Sequence, residues 1–190
     1  MALDAEAAAQ EGLAIPRRHY ATVAILATMV LVVLDGAIAN VALPTIAVAL
    51  DASPASSVWI VTGYQMALVM ALLPCAAVGE SFGLRRVFVG GVIVFAVASV
   101  LCAVSPSLPW LVAARFVQGF GAAAVMALGI ALMRFTYPQR LLGAAIGWNA
   151  TTIALSAAAG PTIGAGILMV SSWPFLFAVN LPVGAVVLIA

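Results

Sequence analysis

Two residues in this chain carry charge where charge is costly. Asp35, in "MVLVVLDGAIANVALPTIAVAL", is the only charge between His19 and Asp51, and Arg115 is the only charge in "LVAARFVQGFGAAAVMALG". A helix through either stretch would cross a bilayer. An ionised side chain at that depth costs roughly 2.5 to 3.5 kcal/mol on insertion scales, so such residues mark proton relays, ion paths or paired sites. On a helical wheel of about 100° per residue, Ala21, Ala24, Thr28, Ala39 and Ala42 fall within about 40° of Asp35. The carboxylate therefore lies on a stripe of small residues that admits close neighbours or water, and is expected to face the bundle interior. An acid so placed can bind and release a proton, or it can simply hold helices together by hydrogen bonds. Gly119, Ala122, Met126 and Gly129 fall within about 40° of Arg115, with Gln118 about 60° away. Two lone opposite charges on small-residue faces most cheaply meet each other or a shared water chain. The alternative for Arg115 is to snorkel to the near membrane surface, because the Pro109 break lies only a few residues away.

Elements long enough to hold these residues at depth follow from composition. Of 190 residues, 66% are hydrophobic and 7% charged, whereas a soluble domain carries about a quarter charged. The net charge of +1 comes from 7 basic and 6 acidic residues and suggests neither nucleic acid nor an acidic substrate. Spanning about 30 Å of hydrocarbon takes about 20 apolar residues. Such runs occupy about 21–44, 58–78, 87–105, 109–131 and 142–170, and a sixth opens near Pro174 and continues to Ala190. The expected fold is an all-α membrane bundle over residues 19–190, preceded by a tail at 1–18. Arg17 and Arg18 precede the first run, Arg85 and Arg86 join the second and third, and Arg134 and Arg140 flank the join of the fourth and fifth. The alternate joins, "DASPASS", "SPSLP" and "SSWP", contain no basic residue. Basic residues in short loops stay on the cytoplasmic side. This alternation puts the N-terminus in the cytoplasm of a multi-pass protein of the inner or plasma membrane.

Four further stretches carry a resemblance. "LDGAIANVALP" at 34–44, "AAVGESFGLRRVF" at 76–88, "LVAARFVQGFGAA" at 111–123 and "SAAAGPTIGAG" at 156–166 occur in order at successive runs, and "SSWPFLFAVNLPVG" at 171–184 opens the sixth. Over residues 20–190 the sequence resembles the N-terminal half of a major facilitator superfamily transporter, in the drug:proton antiporter group with fourteen spans. The resemblance implies a six-helix bundle of 3+3 inverted repeats, with Asp35 and Arg115 on the first helix of each repeat and both in proton coupling. It implies a gating loop at Glu80, Gly83, Arg85 and Arg86, and an antiporter-motif helix around Gly160, Pro161 and Gly164 packed at the interface of two halves. The loop departs from the family pattern at Ala76, Glu80 and Ser81. A tight Gly83 turn with positive-inside arginines accounts for the same residues without gating. By the same resemblance the chain is expected to be a fragment whose partner is a missing C-terminal half.

Ser156, Gly160 and Gly164 recur every fourth residue, as do Gly143 and Gly147, and such small-residue faces let helix backbones approach closely. Gly160-Pro161 removes an amide and favours a kink. Candidates for a substrate cavity are Thr28, Trp59, Tyr64, Gln65, Gln118 and Asn149, with Trp148, Thr151 and Thr152 beside the last; Trp59 suits an interfacial belt equally. Asn40, about 140° from Asp35 on the wheel, is expected to bond a neighbouring helix. Cys75 and Cys102 read as small buried hydrophobes.

Residue types suited to catalysis or metal binding do not cluster, and no GxxxxGK[ST] stretch occurs to hydrolyse ATP. The expectation is a transporter rather than an enzyme, without cofactor or metal, driven by a proton gradient. Its partners would be the lipid bilayer, protons and a small amphipathic, often cationic substrate, with no nucleic acid. A metabolite or sugar transporter, a non-transporting truncated protein and an assembling half-transporter are the alternatives.

Overall fold

The computed structural model describes residues 13–189, and every regular element among them is helical. The chain runs α1 Ile15–Ala49, α2 Pro54–Ser57, α3 Trp59–Phe82, α4 Leu84–Ala103, α5 Leu108–Thr136, α6 Gln139–Val170, α7 Phe175–Ala178 and α8 Asn180–Ile189. Five helical stretches are long and apolar enough to cross a membrane: α1, α2 with α3, α4, α5 and α6. The helices outrun the apolar stretches that nucleate them. α1 opens at Ile15, inside the segment read as tail, because Pro16 at its first turn supplies a helical φ and loses no needed amide. Residues 1–12 of that tail lie outside the described residues.

The breaks have local causes. Ser53 caps α2 by accepting from the Ser56 amide at 3.1 Å. Gly83, at φ 97°, divides α3 from α4 in a conformation that costs an L side chain strain. Pro138 holds Tyr137 extended and ends α5. These short joins alternate the helices. Six arginines therefore gather at one end of the bundle, with the arginine-free joins at the other. At the arginine end, the Leu13 amide donates to the Thr136 carbonyl at 3.1 Å, tying the start of α1 to the end of α5.

Helix association in lipid rests on close packing rather than on a hydrophobic driving force, and glycine sets the approach here. α5 is wedged between α3 and α4. A Cβ on Gly119 would stand 2.5 Å from the Tyr64 carbonyl oxygen, and one on Gly121 would stand 2.6 Å from the Phe95 amide. The two faces of α5 thus meet two helix backbones directly. α1 packs on α6, with α5 and α8 on its other side. Two apolar clusters fill the bundle. One holds Ile25, Met29, Val32, Phe88, Val92, Val125 and Leu128; the other, nearer the arginine-free end, holds Ile38, Ala42, Ile46, Ile60, Leu111 and Phe177.

Candidate functional site

A layer of polar side chains lies between those two clusters. Asp35 of α1 is 2% exposed and Arg115 of α5 is fully buried, and the two form a direct ion pair through Arg115 Nη1 and Asp35 Oδ2. The small-residue stripe makes this approach feasible, since Ala39 and Ala42 are buried along with Thr28 and Asp35 on one side of α1. Arg115 does not snorkel. Its stem and head stay inside because a carboxylate waits there, which is the only cheap resolution for two charges in hydrocarbon.

Further polar groups complete the site. Gln118, one turn on from Arg115, accepts from Arg115 Nη1 at 2.5 Å through Oε1 and donates through Nε2 to Asp35 Oδ1 at 3.2 Å and to Ser99 Oγ at 2.8 Å. Asn180, the first residue of α8, donates through Nδ2 to Asp35 Oδ1 at 2.6 Å and to Ser99 Oγ at 3.2 Å. Ser99 in turn donates to the Phe95 carbonyl at 2.8 Å. Cys102 Sγ lies 3.7 Å from Gln118 Oε1. The guanidinium lies over the Tyr64 ring at 4.1 Å and the Phe177 ring at 5.5 Å, contacts that favour a desolvated cation. Its Nε reaches the Ile60 carbonyl at 3.4 Å, while Nη2 has no hydrogen-bond partner. Side chains from α5 and α8 meet the Asp35 carboxylate of α1, and side chains from α3, α4 and α7 surround those partners. No cluster of residues able to hold a metal ion exists among the described residues.

The other sequence candidates distribute unevenly. Tyr64 and Gln118 belong to this layer. Thr28 is buried but bonds the Ala24 carbonyl of its own helix at 2.7 Å. Trp59 and Gln65 are exposed, away from the layer. Asn40 is exposed too and bonds the Gly36 carbonyl at 2.9 Å, so it serves its own helix rather than a neighbour. Cys102 is buried, Cys75 only partly so. Glu80, Gly83, Arg85 and Arg86 lie exposed at the arginine end.

α6 contributes no side chain to the layer. Its buried residues, Ala145, Asn149, Ser156, Gly160 and Gly164, form one narrow stripe. A Cβ on Gly160 would overlap that of Ala37, and one on Gly164 would stand 3.3 Å from Ile38 Cγ2, so this stripe is what seats α6 on α1 beside Asp35. The motif glycines Gly160 and Gly164 meet α1 of the same bundle, whereas Pro161 is exposed and Gly143 and Gly147 meet nothing within 4 Å. Asn149 is buried with Oδ1 unbonded. Near the arginine end, α1, α5 and α6 enclose a recess of about 270 Å³, with Thr22, Leu26, Met133, Tyr137, Trp148 and Thr152 in its wall. Across it the Thr22 hydroxyl, which donates to the Arg18 carbonyl at 2.8 Å, lies 3.0 Å from the Tyr137 hydroxyl.

Asn180 and Ser99 were not legible as site residues in the sequence. Asn180 left a signal, a lone amide in "FLFAVNLPVG"; Ser99 left little, since a serine can satisfy itself on its own helix.

Comparison with known proteins agrees with this architecture. Residues 25–190 match the Major Facilitator Superfamily. An uncharacterised transporter of Escherichia coli, YebQ, is 50% identical over 179 residues, covering 94% of this chain and 39% of the relative. The riboflavin transporter RibZ of Clostridioides difficile is 33% identical over 153 residues, 80% of this chain and 34% of the relative. The drug efflux pump JefA of Mycobacterium tuberculosis is 35% identical over 174 residues, 90% of this chain and 34% of the relative. The chain thus spans well under half the length of these relatives.

Proposed function

The chain belongs to the Major Facilitator Superfamily, as a multi-pass membrane transporter rather than an enzyme, and from that premise we propose that it forms the N-terminal bundle of a proton-coupled drug exporter. The observation that carries the reading is the buried Asp35–Arg115 pair at a junction of six helices. A structural ion pair would be served as well by apolar residues. A carboxylate held by donors from two other helices, α5 and α8, is instead a group whose protonation changes how those helices fit. When Asp35 takes a proton, the pair with Arg115 loses its charge partner and the layer repacks. When it gives the proton up, the layer closes again. Alternating access needs two such arrangements, each favoured by a different ligand.

With the arginines on the cytoplasmic side, Asp35 lies in the outer half of the bundle and the recess in the inner half. Protons would enter from outside and substrate from the cytoplasm, the directions an antiporter requires. JefA, a drug efflux pump by name, supports a drug as substrate, and an apolar recess without charge in its wall suits the apolar part of an amphipathic compound. The fourteen-span antiporter group and a second bundle completing the cavity are part of the same proposal. The test is efflux of an ethidium-type dye by the full-length protein, with and without a proton uncoupler. Uncoupler-sensitive efflux lost in Asp35→Asn supports the reading, and efflux indifferent to both overturns it. A second reading, movement of a flat aromatic metabolite, is favoured by the similarity to RibZ. Riboflavin transport by the same full-length protein, without dye efflux, would select it.

A further inference from the structure

We propose that Asn180 is a positioning residue that sets the proton affinity of Asp35 and so ties the junction of α7 and α8 to the arrival of the proton. This rests on Asp35 being the proton carrier. The inference starts from Ser99. Its hydroxyl faces the Phe95 carbonyl at 2.8 Å, and because a carbonyl only accepts, the Ser99 proton is committed there. Ser99 Oγ can then only accept from the two amides beside it, Gln118 Nε2 at 2.8 Å and Asn180 Nδ2 at 3.2 Å. Both amides are thereby fixed with nitrogen inward. The same nitrogens present N–H to Asp35 Oδ1, at 3.2 Å from Gln118 and 2.6 Å from Asn180.

With Arg115 on Oδ2, both carboxylate oxygens face donors. A proton on Oδ1 would set an O–H against two N–H groups, and one of them must withdraw. Gln118 is anchored from its other side, where Oε1 accepts from Arg115 Nη1. Among the described residues, the side-chain hydrogen bonds of Asn180 all run through Nδ2. Asn180 is therefore the group that gives way. It opens α8 directly after Val179, whose backbone stays helical at φ −58° and ψ −25°, so its departure shifts the α7–α8 segment against α1 and α4.

Other groups around Asp35 leave this role to Asn180. Arg115 faces it from α5, Tyr64 flanks Arg115 from α3, and Cys102 reaches Gln118 from α4. α2, α7 and α8 contain no titratable side chain, and Arg140, the only charge on α6, is exposed at the arginine end.

The experiment is an infrared pH titration of the Asp35 carboxyl stretch in the full-length protein in lipid bilayers, the band being assigned by its loss in Asp35→Asn. Hydrogen bonds to the ionised form favour that form, so removing one makes the acid hold its proton to higher pH. Asn180→Leu, similar in volume but without a donor, should move the midpoint by about one pH unit toward alkaline. Ser99→Ala, which frees both amides without touching Asp35, should move it the same way by less; it also answers the question if Asn180→Leu does not fold. Asn40→Leu, an exposed amide on the same helix as Asp35, should leave the midpoint in place. An unchanged midpoint in Ser99→Ala, and in Asn180→Leu where it folds, overturns the role of Asn180 alone. An Asp35 band that never titrates in the wild type overturns the proton-carrier reading beneath it.

Discussion

The polar layer around Asp35 and the recess between α1, α5 and α6 occupy opposite halves of one bundle and are built from opposite materials. The layer is closed: Asp35, Arg115, Gln118, Ser99 and Asn180 are all buried and bonded to one another. The recess is open and uncharged, with Trp148 at 71% exposure in its wall. The bundle thus separates a place where charge can change from a place where an apolar body can sit. Only α1 and α5 reach both, through Asp35, Arg115 and Gln118 at one end and Thr22, Leu26, Met133 and the adjoining Tyr137 at the other. Helices are stiff over these lengths, so a change in how α1 meets α5 at the layer must be felt at the recess.

The sharpest way to break this separation is at the pair itself. Arg115→Ala leaves a buried carboxylate unpaired and should destabilise the bundle by about 3 to 5 kcal/mol, seen as a large loss of folded protein in size-exclusion profiles. Neutralising both partners in Asp35→Asn with Arg115→Gln should recover most of that stability without recovering proton coupling; recovery of coupling would place the charge chemistry elsewhere. Next come the glycines that seat the helices. Gly160→Leu drives a side chain into Ala37 and should cost about 1 to 3 kcal/mol by overpacking, whereas Gly143→Ala, with nothing within 4 Å, should be neutral in the same thermal melt. The smallest effect belongs to the recess. Trp148→Ala should weaken dye binding by about threefold to tenfold, the worth of one aromatic contact, while leaving the proton titration of the layer untouched. A shifted titration in that variant without substrate would show that the recess wall acts on the layer even when empty.

Much of this was written in the sequence, and the reasons it was are physical. Apolar runs of bilayer length gave the spans, and arginines alternating between joins gave the two ends. The pairing of Asp35 with Arg115 was legible because hydrocarbon offers a lone charge so few alternatives. The helix ends were less so, since Pro16 and Pro138 place boundaries by backbone geometry rather than by hydrophobicity. A helical wheel orders residues around one axis but does not say which neighbour covers each face, so it could not separate Tyr64, which joins the layer, from the exposed Trp59 and Gln65. Asn180 and Ser99 show the same limit from the other side. Their value comes from a junction of helices far apart in sequence, and no spacing along the chain encodes it.

The most direct test is whether substrate and proton exchange at the same protein. Substrate addition to the full-length protein in detergent, at fixed pH with a soluble pH indicator, should release protons from the wild type and none from Asp35→Asn, with both forms binding the dye. Equal proton release from the two would contradict Asp35 as the coupling acid.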